Sequence, residues 1–330
     1  LKKCVAHNAQ NGKIKNGENK MKTPWWFTHK TPIACLLVPV SWVYYAASRI
    51  VYFIRGFRSY KSRRPVICVG NILAGGVGKT PIVRAIANLI GAPVVMRGYK
   101  KSAHTGNAGD EAIMLTRAGL QVHTGNRMAV IKLLNRQTDE DSPIVMDDGF
   151  QNPRIKKDIS ILVFDASLGY GNGFLLPAGP LREPRRAAAK ADAIIVIKNP
   201  RAKKNFKLPD TVPVFYATNT TMSPYDDAER VFAFAGIGYP KKFFRALGKS
   251  VVGRRSFPDH WQYTDEDIEK LFMLAEKKKA VLLTTEKDWV RLPEYARNKI
   301  KYARLNTTIE NGFFDWLKEK IKDVNTGKKN

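Results

Sequence analysis

The stretch that most restricts the fold of this chain lies between residues 65 and 90. An apolar run at 65–70 passes into the string Asn71-Ile72-Leu73-Ala74-Gly75-Gly76-Val77-Gly78-Lys79-Thr80, and a helical pattern follows over 81–90. A strand, a glycine-rich turn and a helix in that order form a P-loop. The amides of the turn and of the helix N-terminus converge and make a nest for an anion. In such a loop Lys79 reaches the β- and γ-phosphates of a nucleotide and Thr80 binds Mg²⁺. Gly75, Gly76, Val77, Gly78, Lys79 and Thr80 are therefore the candidate nucleotide-binding residues, with ATP and Mg²⁺ as expected ligands. The pattern departs from the common one at a single place: the usual first glycine, five residues before Gly78, is Leu73.

An acidic partner for the metal is present in Met146-Asp147-Asp148-Gly149-Phe150-Gln151, at the end of another apolar run. Successive strand residues point to opposite faces, so one of Asp147 and Asp148 is expected to meet the ion directly. Short apolar runs at 92–96, 143–146, 159–164 and 193–197 read as further buried strands, and 212–216, 231–234 and 280–283 repeat the signal. Residues 264–279 read as a helix capped by Thr264, with acids in its first turn. Strands alternating with helices predict a parallel α/β/α sandwich of the P-loop NTPase type. A basic linker around 201–207 divides a P-loop domain at 65–207 from a second, smaller α/β lobe at 208–330.

The amino-terminal part is read differently. Residues 1–20 are polar and are expected to be an upstream extension or a disordered tail. Residues 21–64 are expected to form a membrane-associated helix and its basic flank. Residues 33–48 carry no charge, and Arg55, Arg58, Lys61, Arg63 and Arg64 follow the apolar segment. Basic residues beside an apolar segment stay on the cytoplasmic side and attract anionic lipid by roughly 1 kcal/mol each.

The chain of 330 residues has a formal net charge of +27, and between Asn19 and Gly109 it carries fourteen Lys and Arg with no Asp or Glu. Such a field favours an anionic partner. The basic residues sit beside a Trp- and Tyr-rich apolar segment instead of interleaving with aromatics on a sheet, which suits lipid and not nucleic acid. Three scattered cysteines make neither a disulfide framework nor a zinc site.

With those residues in hand, the chain resembles the tetraacyldisaccharide 4'-kinase family of lipid A biosynthesis. The markers, in order, are Val69-Gly70-Asn71, the P-loop with Pro81, Arg97-Gly98-Tyr99, Gly109-Asp110-Glu111 and Asp147-Asp148-Gly149-Phe150-Gln151. They continue with Leu176-Pro177-Ala178-Gly179-Pro180-Leu181-Arg182-Glu183-Pro184, Phe257-Pro258-Asp259-His260 and Thr284-Thr285-Glu286-Lys287-Asp288. The resemblance implies transfer of the ATP γ-phosphate to the 4'-hydroxyl of a tetraacyldisaccharide 1-phosphate, giving lipid IVA, at the cytoplasmic face of the bacterial inner membrane. It implies two α/β/α lobes around a cleft, Asp110 as base, and His260 in its support from the second lobe. Thr80, Asp147, Asp148 and Glu111 are the candidate metal ligands. Arg97, Gln151, Asn152 and Arg182 are the candidate acceptor contacts. The family commonly has His where this chain has Asn152, and Ser where it has Met96. A rival reading is a membrane-associated nucleotide switch, but Thr285-Glu286-Lys287-Asp288 has the wrong order for a guanine-reading motif. A nucleic-acid-binding ATPase is the second rival.

Overall fold

The computed structural model describes residues 27, 29–98, 109–137, 142–199, 202, 206–226 and 228–327. The polar extension at 1–20, Tyr99 and part of the basic linker lie outside the described residues.

The chain opens with α1 (Pro32–Leu36) and α2 (Val38–Gly56), separated at Leu37. Pro39 sits in the first turn of α2, where its missing N–H costs nothing. No helix among the described residues is long and apolar enough to cross a membrane. Next come β1 (Val66–Gly70), α3 (Lys79–Ile90), β2 (Val94–Met96), α4 (Asp110–Arg117), β3 (Val122–Thr124), α5 (Arg127–Gln137) and β4 (Ile144–Asp147). They are followed by β5 (Ile159–Asp165), β6 (Ala193–Ile197) and β7 (Val214–Met222). The remainder is β8 (Val231–Ala235), α6 (Pro240–Ala246), β9 (Val251–Ser256), α7 (Asp265–Lys277), β10 (Val281–Thr285), α8 (Glu286–Trp289), α9 (Glu294–Arg297), β11 (Lys301–Ile309) and α10 (Asn311–Asn325).

The strands form a sheet in the order β3-β2-β4-β1-β5-β6-β7-β11-β10-β8-β9. Every pairing is parallel except β7 with β11. Strand β11 serves two neighbours in turn: Lys301–Ala303 pair with β10, and Arg304–Ile309 pair with β7. The apolar runs at 65–70, 143–146, 159–164 and 193–197 became strands because they are buried on both faces, as parallel strands under helices must be. Strands β3, β9 and β11 have no such run. Their residues are largely half-buried or exposed, and pairing with a neighbour is what makes them strands. The Thr264 cap is a full capping box closed by Asp267.

Hydrophobic residues gather around the P-loop half and in two clusters around β8 and β10. The first core contains Ala217 of β7 and also Ile309, Phe313 and Leu317, so the end of the chain returns to the P-loop half. Helix α4 is shared. Ala112 and Leu115 enter the first core, while Ile113 and Met114 pack against the second. Arg117 at its end lies 4.5 Å over the ring of Trp289. Arg84 of α3 adds a polar tie, pairing with Glu286 at 3.4 Å.

Phe313 is fully buried, with the rings of Phe215, Phe314 and Trp316 centred 5.3, 5.4 and 5.9 Å from it. Phe313→Ala is expected to destabilise the protein by about 3–5 kcal/mol, measured by urea unfolding. A loss well under 1 kcal/mol would show that α10 is not needed by the first core.

Candidate active site

Strand β1 ends at Gly70, where an added Cβ would stand 2.7 Å from Cβ of Phe150. Only glycine lets the acidic turn lie this close. Asn71 follows, fully buried; its Oδ1 accepts from Lys79 Nζ at 3.1 Å and its carbonyl accepts from Gln151 Nε2 at 2.8 Å. Gly75 and Gly78 have φ of +106° and +82°, which non-glycine residues adopt only at a cost. Gly78 is the N-cap of α3 and supplies no side chain to it, so the first-turn amides remain available to an anion.

Leu73 has a structural explanation. It bridges Leu181 in antiparallel fashion and its side chain is buried. The flanking bonds Ala74 N–H to Pro180 O (2.7 Å) and Arg182 N–H to Ile72 O (2.8 Å) hold the segment alongside the 174–182 loop. The turn therefore starts at Gly75, and position 73 needs an apolar anchor instead of a glycine.

The acidic motif arrives by register. Val69 pairs with Asp147 across the β1–β4 ladder, and Asp148 N–H donates to Val69 O at 2.9 Å. Asp148 lies just past the strand with φ +50°, so alternation along a strand does not set its direction. Its carboxylate holds Lys79 at 3.1 Å and Arg182 at 3.3 Å. Burial raises its pKa, but Lys79 and then Arg182 outweigh that and bring it below the usual range. Asp147 is different. It is buried, and its Oδ1 has no hydrogen-bond partner among the described residues. Burial pushes its pKa up to about 7 against the pull of Lys79, with the charges of Glu111 and Asp148 adding to the rise.

A buried carboxylate oxygen without a partner, next to two further acids, fits a cation. No group of three or more His, Cys, Asp or Glu side chains forms a ready-made metal cage among the described residues. Mg²⁺ does not require one, since it is held by one or two carboxylates together with phosphates and water.

The N-terminus of α4 joins this cluster to a second. Glu111 acts on Asp147, while its neighbour Asp110 meets residues of the other half. Asp110 Oδ2 lies 2.6 Å from Arg291 Nε and 3.4 Å from His260 Nδ1. Burial raises the Asp110 pKa, but the hydrogen bond from His260 and the charge of Arg291 hold it below the ordinary value. His260 sits at φ +60°, with its N–H on Gly236 O at 3.1 Å and its Nε2 3.3 Å from Lys287 Nζ.

Of the remaining candidates, Arg97 is exposed just past β2. Gln151 fastens the acidic turn to Asn71. The Asn152 side chain accepts from Arg154 N–H at 3.1 Å, an Asx turn within the loop. Sequence reasoning missed two arginines. Arg127 donates to the carbonyls of Asp147 and Asp148 at 2.8 and 3.1 Å. Arg291 is fully buried. Neither lies in a motif, and only the tertiary structure reveals what they hold.

The model of the tetraacyldisaccharide-1-phosphate 4'-kinase family matches residues 33–322. The chain belongs to that family. It is accordingly a kinase of lipid A biosynthesis with ATP as phosphoryl donor. The tetraacyldisaccharide 4'-kinase of Rickettsia bellii is 36% identical over 299 residues, covering 83% of this chain and 90% of that one. The Rickettsia canadensis enzyme is 35% identical, covering 92% and 97%. The structure of LpxK from Aquifex aeolicus in complex with ATP superposes with a TM-score of 0.70 at 25% identity, covering 88% of this chain and 99% of that one. The mixed α/β fold is thus that of the family.

Asp147 binds a proton in the folded protein at pH values where the unfolded chain has released it. Its contribution to stability therefore falls as pH rises from its unfolded value of 3.8 to about 7. Asp147→Asn removes that cost, and the nucleotide-free variant is expected to be more stable than wild type at pH 8, by on the order of 2–4 kcal/mol. Thermal unfolding at pH 5 and pH 8 tests this: the gain must be larger at pH 8.

Proposed function

We propose that the two clusters around the N-terminus of α4 are the two sides of one phosphoryl-transfer site, on ATP and the 4'-hydroxyl of a tetraacyldisaccharide 1-phosphate, with lipid IVA as product. The observation that carries this reading is the pair Asp110–Glu111. One carboxylate joins His260 and Arg291 in the smaller half, while the next residue's charge acts on Asp147 beside the P-loop. Donor and acceptor groups are thereby brought to one helix end.

The amides from Gly75 to Thr80 and the Lys79 ammonium hold the nucleotide's phosphates. Asp148 keeps Lys79 in place before nucleotide arrives, and Arg182 offsets the charge of Asp148. Asp147 would hold Mg²⁺, with the Thr80 hydroxyl and Glu111 as further donors. When bound, the ion would neutralise phosphate charge during transfer. The acceptor oxygen bonds to the γ-phosphorus as the bond to the β–γ bridging oxygen breaks, ADP leaves, and the hydroxyl proton passes to Asp110. A loose transition state asks little basicity of that carboxylate, which is consistent with its lowered pKa. Arg97, Gln151 and Asn152 are kept as candidate acceptor contacts.

We assign α2 to the membrane surface, at the cytoplasmic face of the inner membrane. Its amphipathicity is inverted: Ser41, Tyr45 and Ser48 turn toward the body at helical spacing, while Trp42, Val43, Phe53, Ile54 and Phe57 are exposed. A contiguous apolar face of this kind is suited to lipid. The flanking Arg55 and Arg58 suit anionic head groups, while Lys61 is paired with the buried Asp158.

With γ-labelled ATP and the disaccharide acceptor, Lys79→Ala and Asp110→Ala are each expected to lower transfer by about 10²–10⁴-fold, and His260→Ala by less. Full activity in Asp110→Ala would remove it from the mechanism. Replacing Arg55 and Arg58 with Glu is expected to weaken sedimentation with anionic vesicles by at least about 2 kcal/mol in total. Unchanged partitioning would remove α2 and its flank from the membrane.

A further inference from the structure

Arg291 is fully enclosed, and two of its three guanidinium nitrogens donate to fixed acceptors. Nε donates to Asp110 Oδ2 at 2.6 Å. One terminal nitrogen donates to Asp288 Oδ1 at 3.2 Å and to Gly236 O at 3.1 Å. The other lies 3.4 Å from His260 Nδ1. Asp288 is itself pinned: its Oδ1 accepts from Gly236 N–H and from the Tyr263 hydroxyl, each at 3.0 Å, and its Oδ2 accepts from Thr285 Oγ1 at 2.6 Å. The guanidinium therefore cannot turn without breaking an anchored network.

A buried charge network of this quality is weak evidence of a purely stabilising role. Its desolvation cost commonly matches its Coulombic gain, and apolar replacements of similar volume often serve as well. What it supplies here is direction. Both groups that hold Asp110, Arg291 and His260, fall on the same oxygen, Oδ2.

We infer that Arg291, braced by Asp288, is a positioning residue that commits Asp110 Oδ2 to the smaller half and turns Oδ1 to the incoming hydroxyl. This rests on Asp110 being the proton acceptor, and it gives the Thr284-Thr285-Glu286-Lys287-Asp288 segment a purpose: to set the brace. Lysine carries the same charge but has no fork. It cannot span Asp110, Asp288 and the Gly236 carbonyl at once. A carboxylate free to rotate presents the wrong oxygen much of the time, and small misplacements of a reacting group cost about 10²-fold.

The test is a kinetic cycle on the full-length enzyme with ATP and the disaccharide acceptor. Arg291→Lys is expected to lower kcat by about 30- to 100-fold while the KM for ATP stays within about threefold. Because Arg291 acts through Asp110, the double variant Arg291→Lys/Asp110→Ala is expected to be no slower than Asp110→Ala alone. A role confined to stability would instead leave the kcat of the folded enzyme unchanged, whatever the fall in melting temperature. If Arg291→Lys does not fold, Asp288→Asn keeps the shape of the brace and must show the same non-additive loss of kcat. Loss of activity in Asp110→Ala with normal kcat in the brace variants overturns the positioning role alone. Full activity in Asp110→Ala overturns the proton-acceptor reading, and this inference with it.

Discussion

The arrangement proposed for the active site depends on the burial of a short helix between two hydrophobic cores. In α4, Ala112 and Leu115 face one core while Ile113 and Met114 face the other. Both sets are satisfied only if the helix sits at the seam. Its N-terminus then falls between the P-loop half and the smaller half, and its first two residues are acids. Neither core has to be distorted to deliver Asp110 and Glu111 to opposite clusters. Arg117 on Trp289 and Arg84 on Glu286 add polar and cation–π ties across the same seam.

Within the P-loop half the two consecutive aspartates have opposite electrostatics. Asp148 is offset by Lys79 and Arg182 and is a stable anion. Asp147 is more deeply buried, has an oxygen without a partner and holds its proton to about pH 7. One acid positions the P-loop lysine, and the other waits for a counter-charge. The cause is the strand end: Asp147 is the last residue of β4, locked in the ladder against Val69, whereas Asp148 has left the strand in a left-handed conformation. The free energy cost of burying Asp147 in the nucleotide-free state is what a bound cation would relieve.

The nucleotide turn and the amphipathic helix are also physically connected. The 174–182 loop pairs with the strand leading into the P-loop through Leu73 and Leu181. The same loop holds Ser41, the one fully buried residue of α2, by hydrogen bonds at 3.0 and 3.1 Å. A helix with its apolar residues outward is thus held to the body by a polar clasp, the reverse of ordinary packing.

The sequence by itself determined the local chemistry. Glycine spacing set the anion nest, apolar runs set the fully buried parallel strands, and the ordered motifs identified the family. Each of these signals is carried by adjacent residues, through backbone conformation or through burial of a continuous run. Leu73 shows the limit: it reads as a defect in the glycine pattern until its bridge to Leu181 is seen. Strands β3, β9 and β11, with no apolar runs of their own, were decided by the strands they pair with. The partners of Asp110 come from far along the chain, since Arg291 is 181 positions away. Tertiary structure alone could show those contacts, because a guanidinium acquires direction only from the groups that enclose it.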